Sequence, residues 1–474
     1  MTSSKKRKNE EKQDQKSRST TSGKQTKISV PKKRIQLIFE AHSVVLIGSS
    51  KIEEEVGMAS PELFKNVAYN MKKYYKFEFG IKDIEDVSEL PITELAIIVL
   101  PPEESLDWAQ RAMEAGIQAI IQITGGFSSK QREKYLALAM KHHVRVLGPN
   151  TIMGIVNPSI GLNTTFEPDL MPHRGNISVL SQSGGVGAAL LDWATYYRIG
   201  IGKFIFMGDK LDIDDINILE YLANDPGTDV IAIYMEGLKN GRRFVEVAKD
   251  ISIRKPIVVL KGGVTSESAK RALSHTGSIA GSDNIFDAAF KESGVIRVYD
   301  IEELFNASLA LSKQPPMNGK NVVVVSNVGG PAILAADALV REGLQLTHLS
   351  NDTKKRITDR YPTVDIINPI DMIADARAER FKFILEQVLA DVNVDGVMVI
   401  NMLKSCFFKP EDAEVLPEVS IKFDKPIVDV TAGAEDFQLV SDKLIDTPIP
   451  VYDLPDKAAK ALRVLFEYNL IINR

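Results

Sequence analysis

The sequence predicts an α/β fold of three parallel-sheet units in series, and three observations lead there. Short β-branched runs recur along the chain, as at Ser43–Ser50 (SVVLIGSS), Leu95–Leu100 (LAIIVL), Pro256–Leu260 (PIVVL) and Asn321–Val325 (NVVVV). Each is too short for a helix and lacks polar alternation, the pattern of strands buried on both faces. Helical stretches such as Ser105–Ala115 separate them, which is the order of β-α-β crossovers. Finally, 474 residues are too many for one core and suit about three domains.

Composition narrows the function. The hydrophobic fraction of 44% is that of a globular chain, and no run of apolar residues is long enough to span a membrane. One cysteine, Cys406, excludes an internal disulfide, and six scattered histidines show no zinc spacing. A cytoplasmic location is expected, and no metal site is assigned. The net charge of −5 hides an asymmetry: residues 1–34 hold 12 Lys/Arg against 3 acidic residues, so the remainder is near −14. The 1–34 segment reads as a disordered basic tail, and the acidic body argues against nucleic acid as a partner.

The first unit opens with Ser43–Ser50 and continues through Leu95–Leu100, Ala119–Ile123 and Val144–Leu147, a Rossmann-like parallel sheet. A nicotinamide enzyme would carry G-x-G-x-x-G after the first strand; this chain reads G-S-S-K-I-E, which disfavours that class. Asn157–Arg174, rich in proline and polar residues, reads as a connector to the second unit.

In the second unit three strand ends offer complementary chemistry. Gly175–Gly187 (GNISVLSQSGGVG) is a strand, then a Ser/Gly turn, then a helix from Ala188 to Ala194, so Ser183, Gly184 and Gly185 form an anion nest at a helix N-terminus. Val230–Gly237 (VIAIYMEG) delivers Glu236 to a strand end, where a carboxylate can orient an imidazole and stabilise its cation. Pro256–Leu260 ends at Lys261-Gly262-Gly263 and leads into Ala269–Asp283 (AKRALSHTGSIAGSD), which carries the candidate nucleophile His275. Singly, each has a plain structural explanation: a lone histidine satisfying a carbonyl, a common Gly-rich turn, an exposed glutamate. Together they suit phosphoryl transfer through a phosphohistidine.

Gln314–Asn318 (QPPMN) is a second linker, stiffened by paired prolines. The third unit repeats the strand, Gly turn and helix at Asn321–Gly330, placing Gly329 and Gly330 at another helix N-terminus, and runs through Gly396–Ile400 and Pro426–Thr431 to a closing helix at Pro455–Tyr468.

Several of these segments carry a resemblance. SQSGGVGAALLDWA, YMEGLKNGRRF, KPIVVLKGG and SHTGSIAGSD, with GPNTIMGIVNP (Gly148–Pro158), GLNTTF (Gly161–Phe166), SNVGGPAILAADAL (Ser326–Leu339), NPIDM (Asn368–Met372) and IPVYDLPDKAAKAL (Ile449–Leu462), resemble the α subunits of ADP-forming acetate–CoA ligases, relatives of succinyl-CoA synthetase. The resemblance covers roughly residues 35–474. It implies a CoA-binding Rossmann-like domain at 35–170, a flavodoxin-like ligase domain at 171–313 with the phosphohistidine loop, and a second flavodoxin-like domain at 316–474. The implied reaction interconverts acyl-CoA, ADP and phosphate with carboxylic acid, ATP and CoA, through an acyl phosphate and phospho-His275. CoA contacts would come from Gly48, Ser49, Ser50, Gly125, Gly148, Pro149 and Asn150. The helix N-termini at Ser183–Gly185 and Gly329–Gly330 would share the phosphate. ADP or ATP, with Mg²⁺, would sit mainly on an ATP-grasp β subunit, for which this chain shows no stretch of its own, so an α2β2 heterotetramer is expected.

Two departures from the family pattern favour an alternative, a CoA-binding regulatory subunit with weakened catalysis. Glu53-Glu54-Glu55 places three carboxylates near a phosphate loop, and Asp209 stands where relatives usually have Asn. Thr151, where relatives often have Cys, carries little weight.

Overall fold

The computed structural model describes residues 32–51, 58–86, 88–265, 267–268, 283–404 and 406–474. The basic tail before residue 32, Glu53–Glu55 and His275 lie outside the described residues.

The first sheet is wholly parallel, in the order β2-β1-β3-β4-β5. A short helix α1 (Gln36–Glu40) precedes β1 (Ser43–Gly48), α2 (Pro61–Tyr74), β2 (Glu78–Asp83), β3 (Leu95–Val99), α3 (Pro102–Glu114), β4 (Ala119–Gln122), α4 (Ser129–His142) and β5 (Arg145–Leu147). Local signals start and stop the helices. Ser60 caps α2 ahead of Pro61, and Ser128 with Gln131 forms a capping box for α4, which ends on left-handed His143. β3 and β4 are buried at every position, as their unbroken apolar runs require. The strand order reverses direction between β1 and β3, where doubly wound sheets open a ligand crevice at their carboxyl edge.

The second sheet follows the order β12-β11-β10-β8-β9-β6-β7. Its elements are β6 (Ile155–Asn157), β7 (Leu162–Asn163), β8 (Arg174–Ser181), α5 (Gly184–Tyr196), β9 (Ile201–Phe206), α6 (Asp215–Leu222), β10 (Val230–Met235), α7 (Gly241–Ser252), β11 (Ile257–Lys261), α8 (Asp283–Ser293), β12 (Ile296–Val298) and α9 (Ile301–Lys313). The five strands from β12 to β9 are parallel, whereas β6 runs antiparallel to both β9 and β7. The stretch read as a connector therefore also closes one edge of this sheet. Three- and two-residue strands are too short to show a period, and the turns beside them rest on Gly154 and Gly161 at φ +47° and +71°.

The third sheet orders its strands β14-β13-β16-β17-β18, with β15 on the β13 side. It comprises β13 (Asn321–Ser326), α10 (Gly329–Arg341), β14 (Gln345–Leu346), α11 (Asn351–Arg360), β15 (Ile370–Asp371), α12 (Ala378–Leu389), β16 (Gly396–Asn401), α13 (Val415–Ser420), β17 (Ile427–Thr431), α14 (Ala434–Leu444), β18 (Val451–Tyr452) and α15 (Pro455–Ile472). The first two sheets share one continuous apolar cluster that runs from Ile35 to Val295. The linker at Gln314–Asn318 is anchored to the third sheet: buried Gln314 accepts from Ile427 N–H at 2.6 Å and donates to Pro448 O at 2.5 Å. Arg463 on α15 bonds Glu303 of α9 and Glu342, each at 2.8 Å, which pins the third unit to the second.

Candidate functional site

At the end of β8, Ser181 Oγ donates to Ser183 O at 2.7 Å and accepts from Ser183 N–H at 3.2 Å, which folds the turn back on itself. Helix α5 starts at Gly184, before the expected Ala188, so the glycines belong to its first turn. Ser183 caps only the Val186 N–H, leaving the N–H groups of Gly184 and Gly185 without intrahelical partners. A Cβ on Gly185 would meet nothing within 4 Å among the described residues. This nest is open to an anion, and the helix dipole favours one.

The residue between the two serines, Gln182, reaches to the neighbouring strand. Its Oε1 accepts from the N–H groups of Glu236 at 2.8 Å and Gly237 at 3.0 Å, and its Nε2 donates to Gly237 O at 3.0 Å and Asp215 Oδ1 at 2.7 Å. The Glu236 backbone is thereby fixed beside the nest. Its side chain is half-buried: Oε1 takes a 3.4 Å bond from the Tyr234 hydroxyl, while Oε2 is buried and has no partner among the described residues. Burial, with Glu236 adding to it, pushes the Tyr234 phenol up to about 12. On the adjacent strand, Lys261 pairs in register with Met235 and packs its ammonium 4.6 Å from the Phe286 ring centre. Burial lowers its pKa, against an opposing pull from Asp283 and Glu236. The chain that leads to His275 leaves from Gly262, where a Cβ would fall 2.5 Å from the Tyr234 hydroxyl. His275 itself lies outside the described residues.

At the first sheet, Gly48, Ser49 and Ser50 leave β1 while Gly148, Pro149 and Asn150 leave β5, on one carboxyl edge and roughly 14 Å apart, three strand spacings. Gly125, just beyond β4, touches the second turn: its Cβ would lie 3.0 Å from Asn150. Gly148, at φ +100°, admits no side chain, because a Cβ would stand 2.5 Å from Gln122 O. Ser49 is buried and accepts from Lys51 N–H, and Ser50 Oγ donates to Asp83 at 3.2 Å. Along this edge Ser50 and Asn150 are exposed, while Gly48, Gly125 and Gly148 are buried in the turns behind them.

Asp209 proves to be a junction residue. Its carboxylate pairs with Arg132 of α4 at 2.6 Å and accepts from Asn150 Nδ2 at 3.2 Å, while its N–H donates to Pro149 O at 2.8 Å. The extra negative charge is thus neutralised within the protein, which removes the structural ground for a weakened site at this position.

The third sheet repeats the turn. Ser326 Oγ donates to Val328 O at 2.7 Å and accepts from Val328 N–H at 3.1 Å, and Asn327 exchanges two 3.0 Å bonds with the backbone of Met402, just beyond the end of β16. Helix α10 begins at Gly329 with no side-chain cap, and a Cβ on Gly330 would meet nothing within 4 Å. No hydrogen bond or ion pair joins this turn to Ser183–Gly185 among the described residues.

Residues 174–311, from β8 into α9, match the family described as the succinyl-CoA ligase like flavodoxin domain. Over 458 residues the chain is 34% identical to the acetate–CoA ligase [ADP-forming] I subunit alpha of Pyrococcus furiosus, covering 92% of this chain and 98% of that one. The chain belongs to the ADP-forming acetate–CoA ligase family. It is also 36% identical to the acetate–CoA ligase [ADP-forming] of Methanocaldococcus jannaschii, of which it spans 64%. A solved structure of the dinucleotide-forming acetyl-coenzyme A synthetase 1 of Ca. Korarchaeum cryptofilum, in complex with phosphate and ADP, superposes with a TM-score of 0.82 at 28% identity, covering 93% of this chain and 97% of that one.

For a member of this ligase family, the residues that sequence reasoning missed are those behind the turns. Gln182, Asn327, Asp215, Lys210 and Arg132 are not among the expected site residues, yet they hold the turns that carry those residues. A signal for two of them was present: S-Q-S-G-G and S-N-V-G-G both place a carboxamide directly after a strand's final serine. Among the described residues, no cluster of three His, Cys, Asp or Glu could hold a metal ion, and no helix is long and apolar enough to cross a membrane.

Proposed function

We propose that this chain is the α subunit of an ADP-forming acyl-CoA ligase, interconverting acyl-CoA, ADP and phosphate with carboxylic acid, ATP and CoA. The observation that carries the reading is the pairing, at one sheet edge, of an open anion nest at Ser183–Gly185 with a Glu236 carboxylate whose buried Oε2 has no partner among the described residues. A buried acceptor without a donor is costly, and an imidazole N–H would satisfy it.

In this reading a phosphate oxygen attacks the thioester carbon, the C–S bond breaks, and CoA leaves as the thiol. The His275 imidazole then attacks the phosphorus of the acyl phosphate, breaking its P–O bond and releasing the carboxylate. Glu236 accepts the other imidazole N–H and stabilises the positive charge that develops. The N–H groups of Gly184 and Gly185 hold the phosphoryl oxygens, with Gly329 and Gly330 as a second nest. Gly48, Ser49, Ser50, Gly125, Gly148, Pro149 and Asn150 form the edge along which CoA lies.

The division of labour follows the three sheets, with CoA binding at 35–170 and ligase domains at 171–313 and 316–474. Acetate or another small carboxylic acid and its CoA thioester are the substrates. The Pyrococcus furiosus relative is itself a subunit alpha, which supports a partner chain; an ATP-grasp β subunit in an α2β2 assembly would bind ADP or ATP. Mg²⁺ would enter with the nucleotide and neutralise its phosphates. A cytoplasmic location suits a chain with one cysteine.

The test is phosphate labelling from ATP in the chain reconstituted with an ATP-grasp β subunit. Acid-labile, base-stable label is expected, lost in His275→Asn and slowed in Glu236→Gln. Undiminished label in His275→Asn would overturn the proposal.

A further inference from the structure

We infer that Gln182 is a positioning residue for Glu236, held in register by the buried Asp215–Lys210 pair. The inference rests on the reading of Glu236 given above. A carboxamide offers two acceptor sites and two donors, and Gln182 uses all four: Oε1 takes the N–H groups of Glu236 and Gly237, and Nε2 serves Gly237 O and Asp215 Oδ1. A flipped amide would set N–H against N–H, so its orientation is determined. Gln182 thus fixes the backbone on both sides of the Glu236 Cα, which sets where the carboxylate points.

The support behind it is charged and buried. Lys210 Nζ lies 3.0 and 2.8 Å from the two oxygens of Asp215, and Gln182, Asp215 and Lys210 are all at most 8% exposed. Lys210 stands in a left-handed conformation (φ +55°) in the loop whose neighbours bond the first unit, Asp209 N–H to Pro149 O at 2.8 Å and Leu211 N–H to Gly148 O at 2.9 Å. Lys239, three residues beyond Glu236, donates to Lys210 O at 2.9 Å and closes the ring of contacts. No other residue type replaces Gln182 intact. Glutamate would accept both N–H groups but has no donor for Gly237 O, and its carboxylate would face that of Asp215; methionine keeps the length and loses every bond.

The experiment is a double-mutant cycle on the rate of phosphohistidine formation, with the chain assembled with its ATP-grasp partner and CoA affinity measured in parallel. Gln182→Met should slow labelling on the order of 10- to 100-fold, as a displaced catalytic group does, with CoA affinity unchanged. In a Glu236→Gln background the same substitution should slow it little further, because Gln182 acts through Glu236. Should Gln182→Met fail to fold, Gln182→Glu, which keeps the two accepted N–H bonds, is expected to show a smaller defect with the same non-additivity. Effects that multiply, or labelling at the wild-type rate in the Gln182 variant while Glu236→Gln is slow, would overturn the inference alone. Wild-type labelling in Glu236→Gln would remove the reading of Glu236 and this inference with it.

Discussion

Arg132 and Asp209 meet at 2.6 Å across the boundary between the first two units, and the same carboxylate holds Asn150 of the turn after β5. Removing the guanidinium would leave a partly buried carboxylate beside the edge where CoA is proposed to bind, which costs more than an exposed pair would. Arg132→Met should weaken CoA binding about tenfold, the size of a 1.4 kcal/mol loss. Asp209→Asn added to Arg132→Met should recover most of it. Calorimetry on both variants checks this, and no recovery in the double variant would show that charge is not the cause.

Two glycines with similar positive φ should respond differently to alanine. Gly148 (φ +100°) has Gln122 O 2.5 Å from its would-be Cβ, whereas Gly116 (φ +95°) has open space. Gly148→Ala should cost about 2 kcal/mol or more and Gly116→Ala about 1 kcal/mol, the conformational penalty alone. Thermal unfolding of the two proteins measures the gap, and equal losses would mean that the contact with Gln122 does not matter.

The open nests make a second contrast with function. Gly185→Asp and Gly330→Asp each add a Cβ that meets nothing within 4 Å among the described residues, so both proteins should keep near-wild-type melting temperatures. Phosphoenzyme formation should fall on the order of tenfold or more in each, since the new charge repels phosphate and occupies the helix N-terminus. Normal labelling in Gly330→Asp would remove the third unit's helix from the proposed phosphate site.

Asp429, in the middle of β17, is fully buried, and burial raises its pKa from 3.8 to about 7 although Thr431 and Asn401 donate to its oxygens at 2.9 and 2.7 Å. Between pH 3.8 and about 7 the folded chain keeps a proton that the unfolded chain has released. This group's stabilisation is therefore complete below the unfolded value and is lost as pH rises through the folded one. Asp429→Asn should flatten that part of the pH–stability curve and raise stability at pH 8 by about 2–4 kcal/mol. Denaturant melts at pH 5 and pH 8 decide it: an unchanged difference between wild type and variant at the two pH values would show that Asp429 does not titrate in this range.

Much of this molecule could be read locally. Val322–Val325 and Ile257–Leu260 are wholly apolar and buried in the structure, as unbroken runs must be when helices cover both faces. Ser-Gln-Ser-Gly-Gly and Ser-Asn-Val-Gly-Gly, which follow such runs, announced strand ends and helix starts, because glycine and hydroxyl side chains act on their own backbone. Even so, α5 begins at Gly184, not at Ala188. Once the helix hydrogen bonds close, a glycine's poor propensity is overridden by the packing of the turns behind it.

What the sequence alone determined, then, was the class of fold, the places where strands hand over to helices, and the residue types offered there: Glu236 after one strand, Ser183 to Gly185 after another, and His275 further along the chain from a third. The tertiary structure decided which of the described groups meet. Gln182 reaches Glu236 only because β8 and β10 are neighbours in register, Tyr234 opposite Ser181. Asp209 finds Arg132 only because the first two units share a core. β6 and β7 join the second sheet because β9 presents a free edge, which no short run reveals. Local propensity acts within a few residues, whereas a hydrogen bond between residues 182 and 236 depends on strand order, a property of the whole packed chain.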